Sequence, residues 1–339
     1  MLNANAHKHF TACQNREAEL LLERVLSEIK ETLSGTGLCI YLGGSYGRGD
    51  GGVRQDKENG ILYNDLDFFV FARRAPENAG TMLKEISKKY ETELKIDVDF
   101  SRIMSIDDIK NNAGRLMMQE LKRGYHHVCG EELIAEYLPE TAAEKLPYSE
   151  ACRLLLNRGM GLLLAGEKIA NDSSETDFIL RNIYKAILGA GDAFLIAEKK
   201  YKWSITERLA EINDSGLSDN CKELYARAVE FKKSPNREAA QDVQEMWQKV
   251  RDIFRECVEH ICRNGYDDTY KECKKRGEIS LINLIKYCVK SRSLPLKNWR
   301  YYTMPPVAIL ANRVYHELGN MSMRNVSQSK LFQQWLIFN

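Results

Sequence analysis

Asp65 and Asp67 stand two apart in NDLDFFVF, and Asp97 and Asp99 two apart in LKIDVDF. In an extended chain residues i and i+2 point to one side, so two short strands would present a row of carboxylates. Carboxylates that close repel one another unless a cation sits among them, and hard oxygen ligands suit Mg²⁺, an ion that also takes substrate phosphates. Upstream, YLGGSYGRGD carries an apolar run into a glycine turn with a hydroxyl, at Gly43, Gly44 and Ser45. Glycine lets backbone N–H groups approach a phosphate closely, with the Ser45 hydroxyl alongside. Turn and acids together describe a site for a metal-bound nucleoside triphosphate.

Positioning these groups falls to an α+β unit. Leu21, Leu22, Val25, Leu26, Ile29 and Leu33 recur at helical spacing between Glu17 and Leu33, and Gly35 and Gly37 stop that helix. Strands are expected at Leu38 to Gly43, Leu66 to Phe71, Leu94 to Phe100 and His126 to Cys129, with helices from Thr81 to Tyr90 and Arg115 to Lys122. In the third strand Ile96, Val98 and Phe100 take the core face, and Lys95, Asp97 and Asp99 the polar one. The charged, glycine-rich GRGDGGVRQDKENG reads as an exposed loop. Beyond Ser149 strand signals vanish and helical patterns follow, at 151–170, 178–199, 205–212, 237–263, 279–289 and 307–318. The expected division is therefore a catalytic domain over 1–148, with a mixed sheet flanked by helices, and an all-α domain over 149–339.

Composition narrows the setting. Lys and Arg number 49 against 48 Asp and Glu, a formal net charge of +1, which excludes a uniformly basic coat and an acidic solvating chain alike. The balance is uneven: residues 271–339 hold twelve Lys and Arg against three Asp and Glu, a net of +9, and the rest of the chain nets −8. Trp299, Tyr301 and Tyr302 beside Lys297 and Arg300 could stack bases and bind phosphates, so RNA is a candidate partner. Nine cysteines without a CxxC pair fit reduced thiols in a cytoplasmic protein. Cys257, His260 and Cys262 do not converge on one helix face, which speaks against zinc. No apolar run approaches the roughly 20 residues of a membrane span, and MLNANAHKHF is polar where a signal peptide is apolar. No membrane partner is expected.

GGSYGRGD followed by NDLDFFVF resembles the GS and DxD signature of the polymerase-β-like nucleotidyltransferase superfamily. The later KIDVDFSRI supplies a third acid, and its spacing is similar to the third-acid strand of eukaryotic poly(A) polymerases, which selects Asp97, with Asp99 as the alternative ligand. The resemblance covers roughly residues 35 to 135. It implies that Asp65 and Asp67 bind two Mg²⁺ ions, replaceable by Mn²⁺, and that Asp97 completes the one activating the acceptor. It further implies that Ser45, with the amides of Gly43 and Gly44, holds the β and γ phosphates. Relatives place a lysine of the helical domain against the triphosphate, for which Lys185 is the candidate, and Arg48 sits beside the turn. The implied reaction is transfer of a nucleoside monophosphate, from ATP, to a hydroxyl with release of pyrophosphate, the helical domain forming the other wall of the cleft. The acceptor is open among RNA 3′ ends, small molecules, other nucleotides and protein side chains. The rival is a nucleotide-binding sensor or partner-binding protein that keeps the fold without chemistry, against which the presence of all three acids speaks. The gap from Ser45 to Asp65 is longer than is common in the family.

Overall fold

Leu22, Val25, Leu26, Ile29 and Leu33 fall on one side of an α-helix, and burying them fixes α1 (Arg16–Leu33) against a sheet. The computed structural model describes residues 9–10, 16–54, 61–233, 242–262, 266–294, 298–320 and 325–338. Two units divide the chain: Met1–Thr141 with Glu230–Asn236, and Ala142–Val229 with Arg237–Asn339. The boundary thus falls a few residues before the expected position, and a short later segment joins the first unit.

The first unit is built on a mixed four-stranded sheet in the order β3-β2-β1-β4, with β1 (Cys39–Leu42), β2 (Leu66–Phe71), β3 (Val98–Phe100) and β4 (His126–Cys129). Strand β1 pairs antiparallel with β2 and β4, whereas β2 and β3 run parallel. Alternation along LDFFVF sends Leu66, Phe68 and Val70 into the core shared with α1 and α3 (Ala79–Leu94), while Phe69 and Phe71 join Ile109, Met118, Leu121 and Leu133 on the other face. Asp67 shares the parity of Phe69 and Phe71, so the acids continue that second face toward the strand starts.

Strand β3 is shorter than the pattern suggests, and the reason lies in α3. Leu83, Ile86, Tyr90 and Leu94 form the buried stripe of that helix, so Leu94 is its last core residue and not the first of a strand. Lys95 then takes a left-handed conformation, φ 56°, and turns the chain back. Helix α4 (Ile106–Asn111) opens with a capping box in which Ser105 and Asp108 satisfy each other's amides, and α5 (Leu116–Arg123) and α6 (Leu133–Tyr137) complete the unit.

Helices α1 and α3 are also tied by charge. Glu28 accepts from Lys89 at 2.9 Å, Arg24 at 2.7 Å and the Tyr90 hydroxyl at 2.8 Å, and Arg24 also reaches Glu93. The Lys89 bond first, then those from Arg24 and Tyr90, hold the Glu28 carboxyl down at about 2 against an ordinary 4.5. A depressed carboxylate stabilises the fold above its unfolded pKa and loses that contribution as pH falls through the folded value. Wild type therefore loses stability between about pH 4.5 and 2, and Glu28→Gln flattens that part of the curve, as urea unfolding at stepped pH will read.

The second unit is helical: α7 (Tyr148–Ala170), α8 (Thr176–Ala197), α9 (Ile205–Asn213), α10 (Asp219–Lys233, whose last turn belongs to the first unit), α11 (Val243–Cys262), α12 (Tyr266–Lys275), α13 (Leu281–Ser291), α14 (Trp299–Tyr302), α15 (Pro306–Gly319) and α16 (Lys330–Phe338). Helix α10 escapes the apolar pattern because its buried stripe uses Cys221, Tyr225 and Ala228 within a charged segment. Asp192 on α8 forms an ion pair with Arg208 of α9 at 2.9 Å and accepts from the Tyr225 hydroxyl at 2.7 Å, a nearly buried cluster joining three helices. The described cysteines are free thiols, with Cys221 and Cys257 3.9 Å apart across α10 and α11. Among the described residues, no helix is long and apolar enough to cross a membrane.

Candidate functional site

Strand β1 ends at Leu42, and the chain turns at Gly43 into one helical turn, α2 (Gly44–Gly47). Two contacts hold this turn against β2. The Gly43 N–H donates to the Asp67 carbonyl at 2.8 Å, and the rings of Phe69 and Leu121's side chain lie where a Cβ on Gly43 would be. Gly44 has φ +58°, and a Cβ there would lie 1.9 Å from Oδ2 of Asp67. The carboxylate of Asp67 thus rests on the bare backbone of Gly44. The Gly43 amide, expected at the phosphates, donates to the sheet in this structure, whereas the amides of Gly44 and Ser45 open the helical turn, where no carbonyl of that turn can accept them. Ser45 itself is half-buried at the head of that turn.

The acids line up in register. Asp67 pairs with Asp99 across the parallel β2 and β3, and the Leu66 N–H donates to the Asp97 carbonyl at 2.9 Å. Carried one step back, the same register aligns Asp65 with Asp97. Asp65 and Asp67 are half-buried, whereas Asp97 and Asp99 are exposed, and Asp97 precedes the strand. The donor set is carboxylate oxygen throughout, the hard-ligand chemistry Mg²⁺ takes. Among the described residues, no three His, Cys, Asp or Glu side chains converge as in a closed ion site; the acids are aligned in pairs along two strand starts.

As far as residue 54, the segment after the turn is not the exposed loop that its composition suggests. Gly51 and Gly52 are buried, the Gly51 N–H donates to the His9 carbonyl at 3.0 Å, and Val53 and Leu62 bridge antiparallel. Residues 55–60, the rest of that insertion, lie outside the described residues. Its base is organised by Tyr46, fully buried, whose hydroxyl donates to the Gly52 carbonyl at 2.8 Å and accepts from the amides of Tyr63 at 3.0 Å and Asn64 at 3.2 Å. Burial pushes this phenol's pKa up, against the pull of those two amides, so it stays a neutral hydroxyl. Asn64 in turn accepts from the Gly52 N–H at 2.7 Å. The run immediately before Asp65 is therefore clamped to the turn that carries Ser45. Tyr46→Phe removes the acceptor of the Asn64 amide and leaves the Tyr63 amide only its longer bond to the Gly52 carbonyl, at 3.3 Å, and is expected to cost about 1–3 kcal/mol, read as a lowered urea midpoint at unchanged slope.

Arg48, expected near the phosphates, is half-buried with its guanidinium 3.3 Å from Glu120 and 3.7 Å from Asp50. Asp50 also pairs with Lys232, from the last turn of α10, at 3.4 Å. Lys232 carried no signal in the sequence, since 182 residues separate it from its partner. Tyr46 and Asn64 were equally silent, because a buried hydroxyl that organises a loop looks like any core tyrosine. Lys185 stands half-buried on α8 of the second unit. The aromatic patch near the C terminus is less open than expected. Tyr301 donates to Asp267 at 2.6 Å, and Tyr302 packs on Tyr287 at 4.8 Å between centroids. Trp299 is exposed, and Lys297 lies outside the described residues.

No family model matches the chain, and no curated protein matches it.

Proposed function

We propose that the first unit is a nucleotidyltransferase that moves a nucleoside monophosphate from a nucleoside triphosphate, ATP first among them, to a hydroxyl acceptor and releases pyrophosphate. The observation that carries this reading is the contact of the Asp67 carboxylate with Gly44, which sets a bare glycine turn and a carboxylate side by side. Asp99 in register with Asp67, and Asp97 aligned with Asp65, extend that pair into a four-carboxylate edge. In this reading Asp65, Asp67 and Asp97 hold Mg²⁺, with Asp99 the alternative third ligand. When bound, Mg²⁺ neutralises the triphosphate and lowers the pKa of the acceptor hydroxyl.

The chain's own groups do the rest. The Ser45 hydroxyl and the amides of Gly44 and Ser45 orient the terminal phosphates, and the fixed sheet register sets the acids at one end of them. Arg48 and Lys232 stand beside the turn in a network with Asp50 and Glu120 whose charges balance, and in this reading the two cations turn from those carboxylates to the pyrophosphate as it leaves. Pyrophosphate release is measured with each NTP and Mg²⁺ or Mn²⁺ in an extract supplying acceptors. Release with at least one NTP supports the reading; tight NTP binding with no release under any condition replaces it with a nucleotide sensor. Single substitutions Asp97→Ala and Asp99→Ala assign the third ligand: the one that abolishes turnover names it.

A further inference from the structure

Helix α13 reads LINLIKYCVKS and is apolar on every side except at Asn283, Lys286, Lys290 and its terminal serine. A helix of that kind is ordinarily buried all round. One side of α13 obeys: Tyr287 is 2 % exposed and packs on Tyr302 and Phe338. The other side is open, with Leu281, Ile282, Ile285 and Val289 all 61–71 % exposed. Lys286, Lys290 and Arg292 are exposed beside them, and residues 281–294 contain no Asp or Glu. Leu294, just past the helix, is exposed as well, and so by more than half are Trp299 of α14 and Leu336 of α16, two helices that pack on α13.

The chemistry of this face selects its occupant. Single-stranded nucleic acid is held by stacked rings together with cations, and here the exposed carbon is aliphatic, with Trp299 the open ring nearby. An anionic phospholipid surface uses both halves of the face at once: the aliphatic side chains and an indole enter the boundary between headgroups and acyl chains, while the lysines and arginine meet lipid phosphates. The positive surplus of residues 271–339 has the same sense. We propose that α13 docks the helical unit on an anionic phospholipid bilayer, lying in its surface without spanning it. This departs from the expectation of no membrane partner, which rested on the want of a spanning segment, and it is independent of the nucleotidyl-transfer reading.

The test is co-sedimentation of the full chain with vesicles of phosphatidylcholine alone and of phosphatidylcholine mixed with phosphatidylglycerol. Wild type is expected to sediment with the mixed vesicles and not with the neutral ones, and to be released by salt. Lys286→Glu/Lys290→Glu weakens partitioning at least about tenfold, and Ile285→Asp/Val289→Asp abolishes it; all four positions are exposed, and unchanged circular dichroism confirms the fold. Failure of wild type to sediment with the mixed vesicles, or equal sedimentation of the variants, overturns the proposal. So does a dimer lost in Ile285→Asp/Val289→Asp without vesicle binding, which assigns the face to a second copy, or retention of polyuridylate lost in Lys286→Glu/Lys290→Glu without vesicle binding.

Discussion

Asp67→Asn is expected to lower pyrophosphate release about a thousandfold while leaving the thermal midpoint nearly unchanged. The side chain keeps its shape, and the bond that anchors the turn, from the Gly43 N–H to the carbonyl of residue 67, is made by backbone and survives. What is lost is one unit of negative charge at the centre of the carboxylate edge, beside Gly44 and in register with Asp99. A bound divalent ion supplies several kcal/mol of charge stabilisation to the reacting phosphate, and each 1.36 kcal/mol is tenfold in rate, so losing most of it reaches about three orders of magnitude. Asp107→Asn, at an exposed position on α4 away from the edge, is the control and should stay within twofold, about the scatter of a surface change. Activity of Asp67→Asn within tenfold of wild type removes Asp67 from the reaction and with it the proposed function.

Much of this edge was legible in the sequence because its signals are local. NDLDFFVF states a strand, its two faces and its acids in eight letters, and β2 occupies the expected residues. GGS after an apolar run likewise marks the turn, and the long amphipathic α1 follows its stripe of Leu, Val and Ile. What failed to show was set by partners distant in sequence. Whether Leu94 ends a helix or begins a strand depends on the surface that α3 covers, since an apolar residue before IDVDF serves either pattern. The loop after Gly47 looked exposed because glycine and charge dominate it, yet the buried hydroxyl of Tyr46 and the carbonyl of His9 supply its backbone with partners. The aromatic and basic residues near 300 read as an open stacking platform, whereas Asp267 and Tyr287 take two of the three rings. Charge and composition state what a segment can bind, and packing decides which of its groups are left to do so.

Gly44→Ala tests the contact on which the site reading rests, and its effect is expected to be twofold in kind. At φ +58° an L-residue carries a left-handed penalty of about 1–2 kcal/mol. The new methyl also lands 1.9 Å from Oδ2 and 2.8 Å from Cγ of Asp67, and the two backbones cannot draw apart, because the Gly43 N–H bond to the Asp67 carbonyl holds the turn to the strand. The carboxylate must rotate off the turn, so the variant loses catalysis to the level of Asp67→Asn in addition to losing stability. The two contributions separate in a double-mutant cycle. In an Asp67→Ala background the closest remaining atom of that side chain is Cβ, at 3.0 Å, and the cost of Gly44→Ala falls toward the conformational penalty alone. Urea unfolding of the four proteins should give a coupling of about 1 kcal/mol or more between positions 44 and 67. Strict additivity would mean that the carboxylate does not rest on the turn, and that glycine is required at position 44 for its backbone conformation and for nothing that Asp67 does.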